Sequence, residues 1–162
     1  MKQVRKSVLL WHSARQMYDL VTQVKDYPQF LPWCSRADVL EASEQGMTAR
    51  LGLSFSGLHH AFTTRNRHVP GREVTVDLVD GPFSMLSGVW RFTPVGGTPV
   101  DESLGLGTAG AREPGACKVE LDLRYALSAG PLEVVLSPVF DRVANTLVDS
   151  FVQRAEVVYG AR

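Results

Sequence analysis

The 162 residues suit one domain with a real core, and 44% hydrophobic against 21% charged side chains is ordinary for a folded chain. Seventeen Lys and Arg cancel seventeen Asp and Glu, which argues against a generally basic nucleic-acid coat and gives no reason to expect DNA binding. No window approaches the roughly 18 apolar residues of a membrane span, and the apolar run in MKQVRKSVLLW is too short for a signal-peptide core. The expected location is therefore the cytoplasm, with any membrane contact peripheral, from the cytoplasmic face of the inner membrane.

Residues 2–11 carry β-branched and apolar residues and read as a first strand. Ser13 and Gln16 then have the spacing of a capping box, in which hydroxyl and amide each satisfy an orphan backbone N–H. Met17, Leu20, Val21 and Val24 follow at helical spacing, so an amphipathic helix is expected. Asp26 is positioned to cap a second, very short helix over YPQFL, which Pro32 ends.

From residue 35 to about 95 the period changes to two. Ala49, Leu51, Leu53 and Phe55 share one face of a strand. Leu58, His60, Phe62 and Thr64 share one face of the next, with Arg65 and Arg67 opposite. Val74, Val76 and Leu78, and then Leu86, Gly88, Trp90 and Phe92, repeat the pattern. These are antiparallel strands with one buried face, and Ser56-Gly57 and Pro70-Gly71 mark tight connections. Residues 96–116 have no periodicity and are rich in Gly, Pro and Ala, as expected of a flexible hairpin loop. A strand resumes at CKVELDLRYAL, with Val119, Leu121, Leu123, Tyr125 and Leu127 on one face. After Gly130-Pro131, an apolar stripe from Leu132 through Val135, Leu136, Val139, Phe140, Val143, Leu147, Phe151 and Ala155 to Val158 predicts a helix of about 40 Å at 1.5 Å per residue. Pro138 is expected to kink it or interrupt its first turns. The natural packing is a strongly bent antiparallel sheet closed by that helix.

Three segments in this order, DYPQFLPWC (26–34), GPFSMLSGVWRFTP (81–94) and FDRVANTLVDSFVQRA (140–155), resemble the coenzyme Q-binding START-like proteins. In bacteria these are called RatA-type, within the polyketide cyclase/dehydrase superfamily. The resemblance runs from about residue 1 to 160, and the long 96–116 segment is where the chain departs from it. It implies a single START-like domain over 1–162 with an α+β helix-grip (START/Bet v 1-like) fold. In that fold a curved antiparallel sheet of about six to seven strands wraps a long C-terminal helix and leaves a tunnel. It also implies binding of a hydrophobic isoprenoid, ubiquinone (coenzyme Q) first, as a carrier or chaperone supporting respiration. RatA-type proteins are equally described as toxins that bind the large ribosomal subunit and block subunit joining. A polyketide cyclase or aromatase is the third reading.

No nucleophile elbow, HExxH, glycine-rich phosphate loop or paired acids on a shared face occurs, so no enzyme and no catalytic cofactor are expected. His59 and His60 point to opposite faces of a strand and cannot share a metal. A quinone head offers carbonyl acceptors, so its pocket should supply donors in an apolar wall. His60, Trp90 and Tyr125, with Thr64 as a weaker candidate, fall on inner faces. Leu51, Leu53, Phe55, Phe62, Val143 and Leu147 can line a trough for the tail. Each of these is also what an ordinary core would contain. Tyr27, Phe30, Leu31 and Trp33, faced by Phe83, Met85 and Leu86, are expected to form a lid that is part plug and part membrane contact. Cys34 is expected to be a buried thiol and, with Cys117, reduced. A ribosomal contact would use Arg50, Arg65 and Arg67 on the outer face, where interleaved acids speak equally for an ordinary solvated surface.

Overall fold

The computed structural model describes residues 1–55, 57–96 and 115–160. Most of the 96–116 loop, and Ser56 of the Ser56-Gly57 connection, lie outside the described residues.

Strand β1 (Lys2–Leu10) leads into α1 (Ala14–Thr22), which begins as its sequence requires. The Ser13 hydroxyl accepts from the Gln16 N–H at 3.0 Å and the Gln16 side chain accepts from the Ser13 N–H at 2.9 Å. The second short helix starts earlier than its sequence suggested. It is a 3₁₀ helix over Val24–Gln29, with Asp26 inside its first turn and no side-chain cap.

Six further strands follow: β2 (Cys34–Ser43), β3 (Gly46–Phe55), β4 (Leu58–Val69), β5 (Glu73–Asp80), β6 (Phe83–Pro94) and β7 (Cys117–Leu127). All neighbours are antiparallel, in the order β1-β7-β6-β5-β4-β3-β2. The first strand thus closes against the last, as β1 has no partner next to it in sequence. The period-two pattern fixes the register: Leu51 stands opposite Phe62, and Trp90 opposite Val74, so apolar side chains share the inner face.

Helix α2 (Pro131–Tyr159) runs 29 residues without interruption. Pro138 lies within it, so of the two expected effects, a kink or an interruption of the first turns, the interruption does not occur. The buried stripe is shorter than the sequence stripe: it runs from Leu136 through Phe140, Val143, Val148 and Phe151 to Ala155. Leu132, Val135 and Val158 are exposed. Gly160 closes the helix at φ 90°, a backbone conformation that costs glycine little.

Phe62, Phe83, Phe140 and Tyr125 form one aromatic cluster between sheet and helix, with ring centroids 4.7 to 6.4 Å apart at steep angles. Trp90, Phe92 and Phe151 continue it along the same face. Edge-to-face pairs of this kind add to the burial that holds helix to sheet. Gly81 permits the close approach at one end, because a Cβ there would lie 2.6 Å from that of Phe62. Among the described residues no helix is long and apolar enough to cross a membrane.

Candidate functional site: an apolar cavity under the long helix

Between α2 and the inner face of β3–β7 lies a cavity of about 90 Å³. Its walls include Ala49, Leu51, Phe62, Thr64 and Asn66 from the β3–β4 side, Val76, Gly88 and Trp90 from β5–β6, and Phe140, Val143, Leu147 and Phe151 from the helix. None of its lining residues is an acid, a lysine, an arginine, a histidine or a cysteine. The volume is of the order of the roughly 150 Å³ engineered cavity that admits benzene, so one ring is the natural scale of what fits.

A second depression, a groove of about 320 Å³, lies outside, lined by Pro32, Trp33, Phe55, Val139, Arg142, Val143, Thr146 and Ser150. Trp33 and Val143 border both spaces and form the wall between them. Trp33 stacks on Phe62 with centroids 6.5 Å apart and planes 24° from parallel.

The segment carrying Trp33 is fastened to α2. Arg154 Nη2 donates to Gln29 Oε1 at 2.9 Å, and its guanidinium carbon lies 5.1 Å from the Phe30 ring centroid. Phe30 and Tyr27 both pack edge-on against Phe151, and the Tyr27 hydroxyl donates to the Val21 carbonyl. Burial raises the Tyr27 phenol well above its ordinary range. Cys34, next to Trp33, is buried, and desolvation pushes its thiol up to about 11.

Of the residues singled out in the sequence, Leu51, Phe62, Thr64, Trp90, Val143 and Leu147 border the cavity. Tyr27, Trp33 and Leu86, expected in the lid, border it as well. Others do not meet the expectation. Leu53 is buried on the same face but away from the cavity, and Phe55 is 41% exposed in the outer groove. His60 is half-buried opposite Leu53, beyond the cavity wall. Tyr125 is buried, but its hydroxyl is turned to Asp141, which accepts from it at 2.6 Å. Leu31 and Phe83 are core residues, exposed by only 1% and 5%, and not a surface lid. Phe30 and Met85 are half-buried and neither touches the cavity.

Asn66 was missed. It is 8% exposed, borders the cavity and accepts from the Thr64 hydroxyl at 3.0 Å. The series Leu58, His60, Phe62, Thr64 leads directly to it, so continuing the alternation by one step would have found it.

On the outer face, Arg50, Arg65 and Arg67 are all exposed. Asp77 stands within 3.8 Å of Arg67, and Asp38 lies 2.7 Å from Arg36. Arg50 and Arg65 form no ion pair among the described residues.

Residues 10–152 match the family described as Polyketide cyclase / dehydrase and lipid transport. The chain belongs to that family. Within it, the chain is 44% identical to the Ribosome association toxin RatA of Pseudomonas aeruginosa, over 97% of both chains. It is 28% identical to the mitochondrial Coenzyme Q-binding protein COQ10 homolog B of Xenopus laevis, over 96% of this chain and 58% of that one. Among solved structures, a START superfamily protein from Mycobacterium smegmatis superposes with a TM-score of 0.72 at 18% identity, covering 96% of this chain and 98% of that one. That likeness is one of fold: the same curved sheet gripping a long helix.

Proposed function

We propose that the chain associates with the ribosome, binding the large subunit and hindering subunit joining. The observation that carries this is identity at 44% along 97% of both chains to a relative named for ribosome association. Likeness of that extent reaches surface as well as core, whereas a shared fold needs only the core. The outer face of β3 and β4 offers Arg50 and Arg65 as cations able to meet RNA phosphates. Cosedimentation with purified large subunits in sucrose gradients tests it. Binding at low salt that fades as salt rises supports the proposal, and no cosedimentation at low salt overturns it.

A second reading is favoured by the cavity: binding of a neutral hydrophobic ligand between sheet and helix, with an isoprenoid such as ubiquinone as candidate. The cavity suits one ring, and a tail would leave past Trp33 and Val143 along the outer groove. The lining supplies no acid–base pair, so binding without turnover is the role we assign to it. Phe55, Val134 and Val135 are exposed and would form its peripheral membrane contact. Native mass spectrometry and organic extraction of protein from a quinone-producing host, with liposome flotation, test this reading. A copurified isoprenoid supports it, and protein that takes up none from liposomes excludes it.

A further inference from the structure

The sheet is open along β1. In the order β1-β7-β6-β5-β4-β3-β2 the two edges are β1 and β2, and among the described residues β1 pairs with β7 alone. An edge strand presents a row of unpaired N–H and C=O groups, which natural sheets blunt with bulges, prolines or charge. The backbone blunts β2: its pairing with β3 shifts register between Cys34 and Arg36 and again between Val39 and Glu41. Strand β1 has no such device. Its pairs run from Lys2–Tyr125 to Leu10–Cys117 without a shift, and its sequence KQVRKSVLL holds no proline or glycine.

Charge is then what guards this edge, and it is of one sign. Lys2 is engaged by Asp141 and Ser137 of α2. Arg5 and Lys6 are exposed. Lys6 forms no ion pair among the described residues, and Arg5 stands 3.5 Å from Asp122, which Gln3 and Arg124 also hold. Lys2 turns to the helix and Gln3 to Asp122, so alternation puts Lys6 on the helix side of the strand and Arg5 on the outer side. A strand laid along β1 would meet a cation on each of its faces. Farther along, Leu9 and Trp11 are each 69% exposed. Two copies paired antiparallel about the middle of β1 would set Arg5 and Lys6 of one against those of the other, and like charges across strands repel. An acidic strand gains from the same two residues.

We infer that β1 is a docking edge for an extended acidic segment of a partner protein, with acids opposite Arg5 and Lys6 and apolar side chains toward Leu9 and Trp11. Main-chain hydrogen bonds supply the affinity of such a strand, and its side-chain pattern sets the choice of partner. Strands β7, β6 and β5 separate this edge from the arginines of β4 and β3, so the inference stands apart from the ribosomal contact.

The probe is a fluorescein-labelled peptide of about ten β-branched residues. It carries two adjacent glutamates toward one end and valines toward the other, and is made in both chain orders. Binding to the full chain is read by fluorescence anisotropy and located by amide hydrogen exchange. One chain order should bind and slow exchange in β1. Lys6→Glu changes an exposed residue, and should weaken the peptide about tenfold and strengthen one with lysines in place of the glutamates by a similar factor. In an added strand only every second N–H faces β1, so N-methylation of alternate residues should abolish binding in one phase and spare it in the other. No binding in either chain order overturns the inference, as do equal binding in both N-methylation phases and protection of β2 in place of β1. A wild-type dimer in sedimentation equilibrium whose formation protects β1 overturns it too, and assigns the edge to a second copy.

Discussion

Tyr125 on β7 donates its hydroxyl to Asp141 on α2 at 2.6 Å, and Lys2 on β1 reaches the other carboxylate oxygen at 2.6 Å. The first strand, the last strand and the long helix are thus tied at one carboxylate, and Lys2 also donates to Ser137 Oγ at 2.8 Å. Burial, then the hydrogen bond to Asp141 and its charge, raise the Tyr125 phenol well above its ordinary range, so it stays a donor. Tyr125→Phe keeps the ring against Phe140 and removes only the hydroxyl. Loss of a hydrogen bond to a charged group should cost about 1.5 to 3 kcal/mol of stability, read from urea unfolding. Binding of any cavity ligand should be unchanged, because Tyr125 is not in the cavity wall. A ligand affinity that falls with this variant would contradict the placement.

His68 and Asp141 set acid sensitivity in separate pH windows, and Asp122, held low chiefly by the hydrogen bond from Gln3, shares the lower one. Burial lowers the His68 imidazole below its ordinary 6.5, and its Nε2 is sealed without a partner beside the Tyr18 ring. The unfolded chain takes that proton first, so stability falls as pH drops below 6.5 toward the lower folded value. Asp141 follows at lower pH. Burial pulls its carboxyl upward, but the bonds from Lys2 and Tyr125 and the charge of Lys2 outweigh it, leaving it below the ordinary 3.8. Its contribution is fully present above 3.8 and is lost as pH falls through the folded value. Urea midpoints measured against pH should show both steps. His68→Phe should remove the upper one, and Asp141→Asn should shrink the lower one to what Asp122 contributes; a step unchanged by its own variant belongs to another group.

The fold was legible because each strand's alternation and the long helical stripe are strictly local signals. The cavity was only half legible for the same reason. Alternation tells which face Leu53, His60 and Tyr125 share with Thr64 and Trp90, but not where along that face the helix stands off. That is decided by how α2 crosses the sheet, which a single strand does not record. Asp141 was passed over because it lies beside the apolar stripe, and its partners Lys2 and Tyr125 are 139 and 16 residues away.

Access to the cavity should depend on the fastening at Arg154. Arg154→Ala removes the bond to Gln29 and the cation over Phe30, freeing the segment that carries Trp33. Cys34 reports on it, since a buried thiol held up to about 11 is almost wholly protonated at neutral pH and slow toward alkylating reagents. Iodoacetamide labelling at neutral pH, followed by mass spectrometry, should be slow at Cys34 in the wild-type protein and faster by about tenfold in the variant if opening becomes easier by about 1.4 kcal/mol. Trp33→Ala should join the cavity to the outer groove and speed ligand exchange in both directions. Unchanged labelling in Arg154→Ala would mean that the segment is held by Phe151 and the core alone.

The outer-face arginines differ in what they have to offer a polyanion. Arg36 and Arg67 already face Asp38 and Asp77, whereas Arg50 and Arg65 form no ion pair among the described residues. An arginine that must leave a carboxylate gains less from a phosphate than one that is free to bind it. Arg50→Glu and Arg65→Glu should therefore weaken cosedimentation with large ribosomal subunits most, Arg67→Glu less, and Asp77→Asn should strengthen it. Each lost phosphate contact should also flatten the salt dependence of binding by about one unit in log–log slope. Equal losses for all three arginines would indicate a general charge effect, and no loss for any would move the ribosomal contact off β3 and β4 to another face of the grip.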